Sequence, residues 1–208
     1  YCQLVASFTT GPDSRYCIDV QSGAVLGDGT KLTKQQMCWW VGGAEAGAKA
    51  NESLTYASHP DATAPDPVLT NAQVIQALTD GKLVLTSDYD TIHIEQDINS
   101  MTTYTPEIGQ VYRKNRVIRL CNSIANDIYG QFSKNYLGVI NNNEEGRSLF
   151  KAAIVGYMTT LQAQQAIQNF VADDVEVLAG DDIDSIVVNL AVQAVDSIEK
   201  IYMTVTVS

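Results

Sequence analysis

The sequence predicts an α+β fold in two subdomains, with mixed or antiparallel sheets packed against two long helices. Three observations predict it. Short stretches with period-two apolar alternation recur along the chain, as half-buried strands require. Two longer stretches, one from Thr105 to about Asn135 and one opening near Asn143, carry apolar residues at helical spacing. Between the halves lies a segment rich in Ala and Asp that holds three of the five prolines, from His59-Pro60 to Asp66-Pro67. Such a segment reads as a surface crossover or linker. The expected division is 1–56, a linker over 57–69, and 70–208.

Taken in order, Gln3 to Thr9 and Tyr16 to Val20 are candidate strands, and Gly27-Asp28-Gly29 signals a turn. Thr33 and Gln36 have the spacing of a capping box, so a helix is expected from Lys34 to about Ala50. Trp40, Val41, Ala44 and Ala48 can face a core there, while Gly42, Gly43, Ala46 and Gly47 leave room for a sheet to pack closely. Thr70 or Asn71 caps a short helix ending at Gly81. Lys82–Thr86 and Thr91–Gln96 alternate around Ser87-Asp88-Tyr89-Asp90 as a hairpin, with Leu83 and Leu85 opposite Ile92 and Ile94.

Thr105-Pro106-Glu107 reads as an N-cap, a first-turn proline and a first-turn acid. Val111, Ile118, Ala125 and Phe132 then recur every seven residues, in a helix weakened at Gly130. The second long helix carries Phe150, Ile154, Tyr157 and Leu161 on one face. Asp181-Asp182-Ile183-Asp184 is a turn. Ser185–Val195 and Glu199–Val207 are expected to form the closing strand pair.

The last stretch has its own logic. Ile201, Met203, Val205 and Val207 fall on one face of an extended segment, and Tyr202, Thr204 and Thr206 on the other. Chain ends are usually polar and frayed. An apolar one must be covered, either within the home sheet or by lending its edge to another chain.

Composition bounds the function. The 208 residues are 45% apolar and 18% charged, which suits a packed globular chain. The net charge of −11 argues against nucleic acid and against anionic membrane surfaces. No apolar run approaches the roughly 20 residues that span a bilayer. No signal peptide is visible, and a first residue of Tyr1 reads as a processed chain or a fragment. Cys2, Cys17, Cys38 and Cys121 are too scattered for a C-x-x-C site, so free, mostly buried thiols in a reducing compartment are expected. Asn51-Glu52-Ser53 matches a glycosylation acceptor, with nothing else pointing to secretion.

Catalytic chemistry finds little support. His59 sits in the proline-rich segment and His93 in a strand, and nothing in the sequence sets a nucleophile beside either. Asp181, Asp182 and Asp184 lack the spacing of a calcium loop, so no metal or cofactor is expected. One charged cluster stands out. Arg113, Lys114, Arg116 and Arg119 are four of the 13 basic residues and lie within two turns of the expected helix. They read either as a solvated face or as a docking surface for an acidic protein.

Arg113-Lys114-Asn115-Arg116-Val117-Ile118-Arg119 and Ser123-Ile124-Ala125-Asn126-Asp127-Ile128 resemble the long-helix signature of contractile phage tail sheath proteins. The resemblance is to the group found in myophages of Gram-positive bacteria, defective prophages and phage-tail-like bacteriocins. Glu95-Gln96-Asp97-Ile98-Asn99 with Thr102-Thr103 is similar to the family's strand before that helix. Asp196 to Val205 is similar to its closing strand. Leu26-Gly27-Asp28-Gly29, and Val41-Gly42-Gly43-Ala44 through Ser53-Leu54-Thr55-Tyr56, resemble the end of its preceding domain.

The chain thus resembles the carboxyl-terminal half of such a protein: the end of the non-catalytic, subtilisin-like core sheath domain over 1–56, then the sheath carboxyl-terminal domain over 70–208. The resemblance implies a structural, non-enzymatic subunit. Its copies stack in six-fold rings around an inner tube and contract to drive that tube through a target envelope. The implied partners are neighbouring sheath subunits, the tail tube protein, and baseplate and tail terminator proteins. The implied location is a virion tail or phage-tail-like particle assembled in the host cytoplasm. The family's exchanged terminal strand corresponds to Ile201, Tyr202, Met203, Thr204, Val205, Thr206 and Val207. Arg113, Lys114, Arg116 and Arg119 become candidate contacts to the tube or to another subunit. A monomeric binding module for an acidic partner and a hydrolase are the alternatives.

Overall fold

The structure is a computed structural model that describes residues 2–88, 91–199 and 201–206. Local signals fix its first helix. The Thr33 side chain accepts from the Gln36 N–H, and the Gln36 side chain reaches back to the Thr33 N–H. This box opens α1 (Lys34–Gly47). Before it come β1 (Leu4–Ala6), β2 (Cys17–Val20), β3 (Gly23–Leu26) and β4 (Lys31–Leu32). β1 and β2 pair in parallel, whereas β3 and β4 form an antiparallel pair around the expected turn.

Residues 57–69 are not a bare linker. They contain β5 (Ala62–Asp66), which pairs antiparallel with β3. Pro65 is tolerated because β5 is an edge strand, where a missing ladder donor costs little. α2 (Asn71–Thr79) follows, capped by Thr70 with Gln73 completing the box. Gly81 then turns the chain at φ +73, and a Cβ there would stand 2.7 Å from the Ser100 carbonyl oxygen.

The expected hairpin forms with a split first arm. β6 (Lys82–Leu83) pairs in parallel with β2, while β7 (Leu85–Asp88) and β8 (Thr91–Ile94) are antiparallel. Leu85 opposes Ile94, and all four of Leu83, Leu85, Ile92 and Ile94 are buried. Tyr89 and Asp90, within the expected turn, lie outside the described residues. Ile18, Val20, Met37 and Val41 join these side chains in one core, with α1 packed on β1, β2 and β3.

The first long helix starts later than expected. Thr105 makes only a local turn, its Oγ1 accepting from the Ile108 N–H. A short 3-10 turn over Gln110–Arg113 follows, and α3 runs over Asn115–Asn135. The backbone is committed elsewhere at the break. Asn99 N–H donates to the Arg113 carbonyl, Asn115 N–H to the Asp97 carbonyl, and Ile98 bridges Lys114. A helix through 113–115 would forfeit these bonds. α3 passes through Gly130 without interruption.

α4 (Glu144–Ala163) begins as expected, with Asn143 accepting from the Gly146 N–H and two acids in the first turn. Phe150, Ile154, Met158 and Leu161 are buried. The closing pair is different from the expected one. β9 (Val175–Ala179) pairs with β10 (Ile186–Leu190) across the acidic turn. Beyond β10, Ala194 forms a single bridge with Ile167, and the described residues 196–199 and 201–206 hold no strand.

These elements fall into two compact units. One comprises residues 2–118 with 196–206, the other residues 119–195. The limits differ from the 1–56, 57–69 and 70–208 division read from the sequence. The α+β class itself stands, with four α-helices and several small sheets among the described residues.

Candidate functional site: an exposed apolar arm and an open sheet edge

The histidines are held in structural settings. His93 is 3% exposed and stacks on Tyr56 with ring centroids 4.0 Å apart. Its Nε2 lies 3.2 Å from Thr86 Oγ1, but that hydroxyl donates to Glu95 at 2.6 Å. Thr86 is therefore oriented toward the carboxylate and not poised to give its proton to the ring. His59 Nδ1 accepts from the Asp61 N–H, and its ring lies 5.4 Å from that of Trp40. Asp181, Asp182 and Asp184 are exposed, and among the described residues no group of three or more His, Cys, Asp or Glu is placed to hold a metal. All four cysteines are free thiols. They are less buried than expected: Cys2 is exposed, and Cys17, Cys38 and Cys121 are half-buried. Burial, reinforced by the nearby Asp19 carboxylate, pushes the Cys38 thiol up.

The basic cluster does not form a solvated face. Arg113 donates to the Leu78 carbonyl, and Lys114 forms an ion pair with Glu199. Arg116 is only 6% exposed, and Arg119 is half-buried. Most of this charge is spent inside the chain's own fold.

The carboxyl arm behaves in the opposite way. Ile198 is 97% exposed, and Ile201, Tyr202, Met203 and Val205 are 74–91% exposed. Such contiguous apolar exposure marks an interaction site in a soluble protein. Thr204 and Thr206 are exposed as well, while Lys200 and Val207 lie outside the described residues.

In the unit formed by 119–195, β9 and β10 make a sheet of two strands. A two-stranded sheet is marginal alone in water. Here α4 supports β9, whereas the far edge of β10 has no strand beside it among the described residues. An apolar groove of about 420 Å³ lies over one face of β10, lined by Ile124, Ile128 and Phe132 of α3, Phe150 of α4, and Ile186 and Val188 of β10 among others. The groove floor is firm. The Phe150 ring packs on Phe132 at 5.4 Å and on Tyr136 at 4.7 Å. Tyr157 ties α4 to α3 by donating to Asp127 at 2.6 Å, and burial together with that carboxylate holds the phenol far above its ordinary pKa.

Sequence reasoning missed the residues that root the arm. Glu199 accepts from Thr55 Oγ1 at 2.7 Å and from Lys114 Nζ, and its side chain is 8% exposed. Thr55 Oγ1 in turn accepts from the Asp97 N–H at 2.9 Å. The signal was present. In an extended reading Glu199 shares the face of Ile201 and Met203, and an acid on an apolar face calls for a buried partner.

Among the described residues, then, β10 has a strand on one side only, and the apolar side chains of the carboxyl arm are exposed. The chain matches the phage tail sheath protein central domain over residues 1–100 and the phage tail sheath C-terminal domain over residues 107–208, and it belongs to the phage tail sheath family. The phage-like element PBSX protein XkdK of Bacillus subtilis is 34% identical over 200 residues, covering 92% of this chain and 43% of that protein. The crystal structure of the sheath tail protein from Desulfitobacterium hafniense superposes with a TM-score of 0.87 at 42% identity, over 97% of this chain and 47% of that one. The helical sheath of the anti-feeding prophage in its contracted state shares the fold, with a TM-score of 0.72 at 16% identity, over 98% of this chain and 61% of that one. The chain spans a little under half the length of the first two relatives.

Proposed function

We propose that this chain is the portion of a contractile tail sheath subunit through which neighbouring copies are linked. The observation that carries the reading is the pairing of an exposed apolar arm with an open, groove-flanked strand edge in one sequence. In this reading the arm of one copy lies along β10 of another. Backbone bonds supply affinity without regard to side chains, and alternate side chains fill the groove. Ile201, Met203 and Val205 then cover Ile186 and Val188, each contributing about 2 kcal/mol of burial before the cost of ordering the arm. Contacts of this head-to-tail kind build rings or helical lattices. The arm also keeps copies connected while other interfaces change on contraction.

The remaining roles follow from the family. We assign the chain no enzymatic activity, a place in a virion tail or phage-tail-like particle assembled in the host cytoplasm, and six-fold rings around a tail tube bounded by baseplate and terminator proteins. Arg113, Lys114, Arg116 and Arg119 are a weaker candidate for tube or subunit contact, because none of the four is an exposed residue. The same burial weakens the monomeric binding module, and the hydrogen bonding of His93 gives the hydrolase no activated nucleophile.

The test adds a synthetic peptide of residues 196–208 to a chain that ends at residue 199. Amide exchange at 186–190 is expected to slow as peptide binds, and a Val188→Lys substitution at the groove is expected to abolish the effect. Unchanged exchange at millimolar peptide would overturn the strand-exchange reading. Electron microscopy of particles carrying this chain tests the lattice directly, since a striated cylinder is expected.

A further inference from the structure

We infer that Glu199 is a latch that fixes where the carboxyl arm leaves the body and couples a pull on the arm to the start of α3. The role in assembly rests on the sheath reading above; the latch itself is a property of the isolated chain.

The geometry is sharply divided along the sequence. Ile198 and Ile201 are 97% and 80% exposed, yet the Glu199 side chain between them is 8% exposed. Both its oxygens are engaged. Oε1 accepts from Thr55 Oγ1, and Oε2 accepts from Lys114 Nζ. Lys114 stands immediately before the first residue of α3 and is itself fixed by the bridge to Ile98.

The anchorage continues inward. Asp97 is 1% exposed and donates its N–H to Thr55 Oγ1. Its carboxylate accepts from the Leu54 N–H at 3.0 Å and from Asn115 Nδ2 at 2.8 Å. Asn115 Oδ1 then accepts from Gln3 Nε2 at 3.0 Å. A carboxylate drawn to this depth must be paired to be tolerated, so its position is well determined. Tension along residues 201–206 therefore reaches the head of α3 through Lys114, and the core segments around Leu54 and Asp97 through Thr55. No other hydrogen bond or ion pair among the described residues holds 196–206 to a distant part of the body.

Trypsin reads the latch. The bond after Lys200 is a cleavage site in the sequence, and a protease cuts such a bond from the transiently released state. Release of the octapeptide Ile201–Ser208 from the native chain is followed by mass spectrometry. Lys114→Met and Thr55→Val leave the sequence around the cleaved bond unaltered. Lys114→Met is expected to accelerate release about tenfold, the factor that corresponds to about 1.4 kcal/mol, and Thr55→Val several-fold. The double variant should fall short of the product of the two, because both act on one carboxylate. Glu199→Gln, corrected by cleavage of the matching free peptide, should lie between wild type and Lys114→Met. Cleavage after Lys134, in α3, controls for general loosening.

Wild-type release rates in all three single variants would overturn the latch, whatever the fate of peptide binding at β10. Accelerated release, with cleavage after Lys134 unchanged, supports it. Failure of the free peptide to bind β10 while release is accelerated would remove the sheath role and leave the latch standing.

Discussion

Replacing Asp97 by Asn tests whether the polar network beneath the arm is a structural keystone. The substitution keeps the side-chain volume and changes one oxygen to an NH2 group. In the native chain both oxygens accept, from the Leu54 N–H and from Asn115 Nδ2, and the residue is 1% exposed. Whichever way the new amide is turned, an N–H faces an N–H. Leaving one buried donor unsatisfied costs about 1–3 kcal/mol, and losing a charge-assisted bond adds to that. The expected destabilisation is about 3 kcal/mol. Urea unfolding followed by tryptophan fluorescence reports on the right unit, because the chain's two tryptophans, Trp39 and Trp40, both lie on α1. With a slope of about 2 kcal/mol per molar urea, the midpoint should fall by about 1.5 M. A double-mutant cycle with Asn115→Ala should show coupling of about 1 kcal/mol or more. A midpoint shift below about 0.5 M at unchanged slope would refute the assignment of both bonds to one buried carboxylate.

Four further outcomes follow from other parts of the molecule. Gly81→Ala should destabilise by about 2 kcal/mol or more in the same urea assay, since φ is +73 and the added Cβ meets the Ser100 backbone at 2.7 Å. Gly130→Ala, inside α3 with open space around it, should instead stabilise by about 0.5–1 kcal/mol, read by thermal circular dichroism. Phe150→Ala should cost about 3 kcal/mol in far-ultraviolet circular dichroism melts, because the residue is 3% exposed and supports two other rings. Burial and the Asp127 carboxylate raise the folded pKa of Tyr157, so the stability it contributes is present below the ordinary tyrosine value of about 10 and is lost as pH rises through the higher folded value. Phenolate absorbance should show one tyrosine resisting ionisation above that pH, and Tyr157→Phe should remove that late step.

The sequence by itself determined the local starts and the periodic faces. Thr33 caps α1 where its spacing to Gln36 says it should, α4 opens at Asn143 ahead of the two acids as expected, and of Thr70 and Asn71, both offered by the sequence, it is Thr70 that caps α2, because capping is a contact within one turn. Period two in 91–94 and 186–190, and the helical face of Phe150 and Ile154, likewise depend only on near neighbours along the chain. Tertiary structure decided the pairings. Thr105-Pro106-Glu107 is a plausible helix start, yet α3 waits until Asn115, because the backbone at 113–115 bonds across to 97–99. Alternation in 185–195 promised a strand but not its neighbour, and β10 chose β9 over the arm. The prolines of 57–69 argued for a linker until β3 supplied a partner for β5. The four cations near the start of α3 read as a surface until Leu78 and Glu199, 35 and 85 residues away from Arg113 and Lys114, drew two of them inward. Short-range chemistry is written in consecutive residues, whereas the choice among distant partners depends on which contacts the closed fold brings within reach.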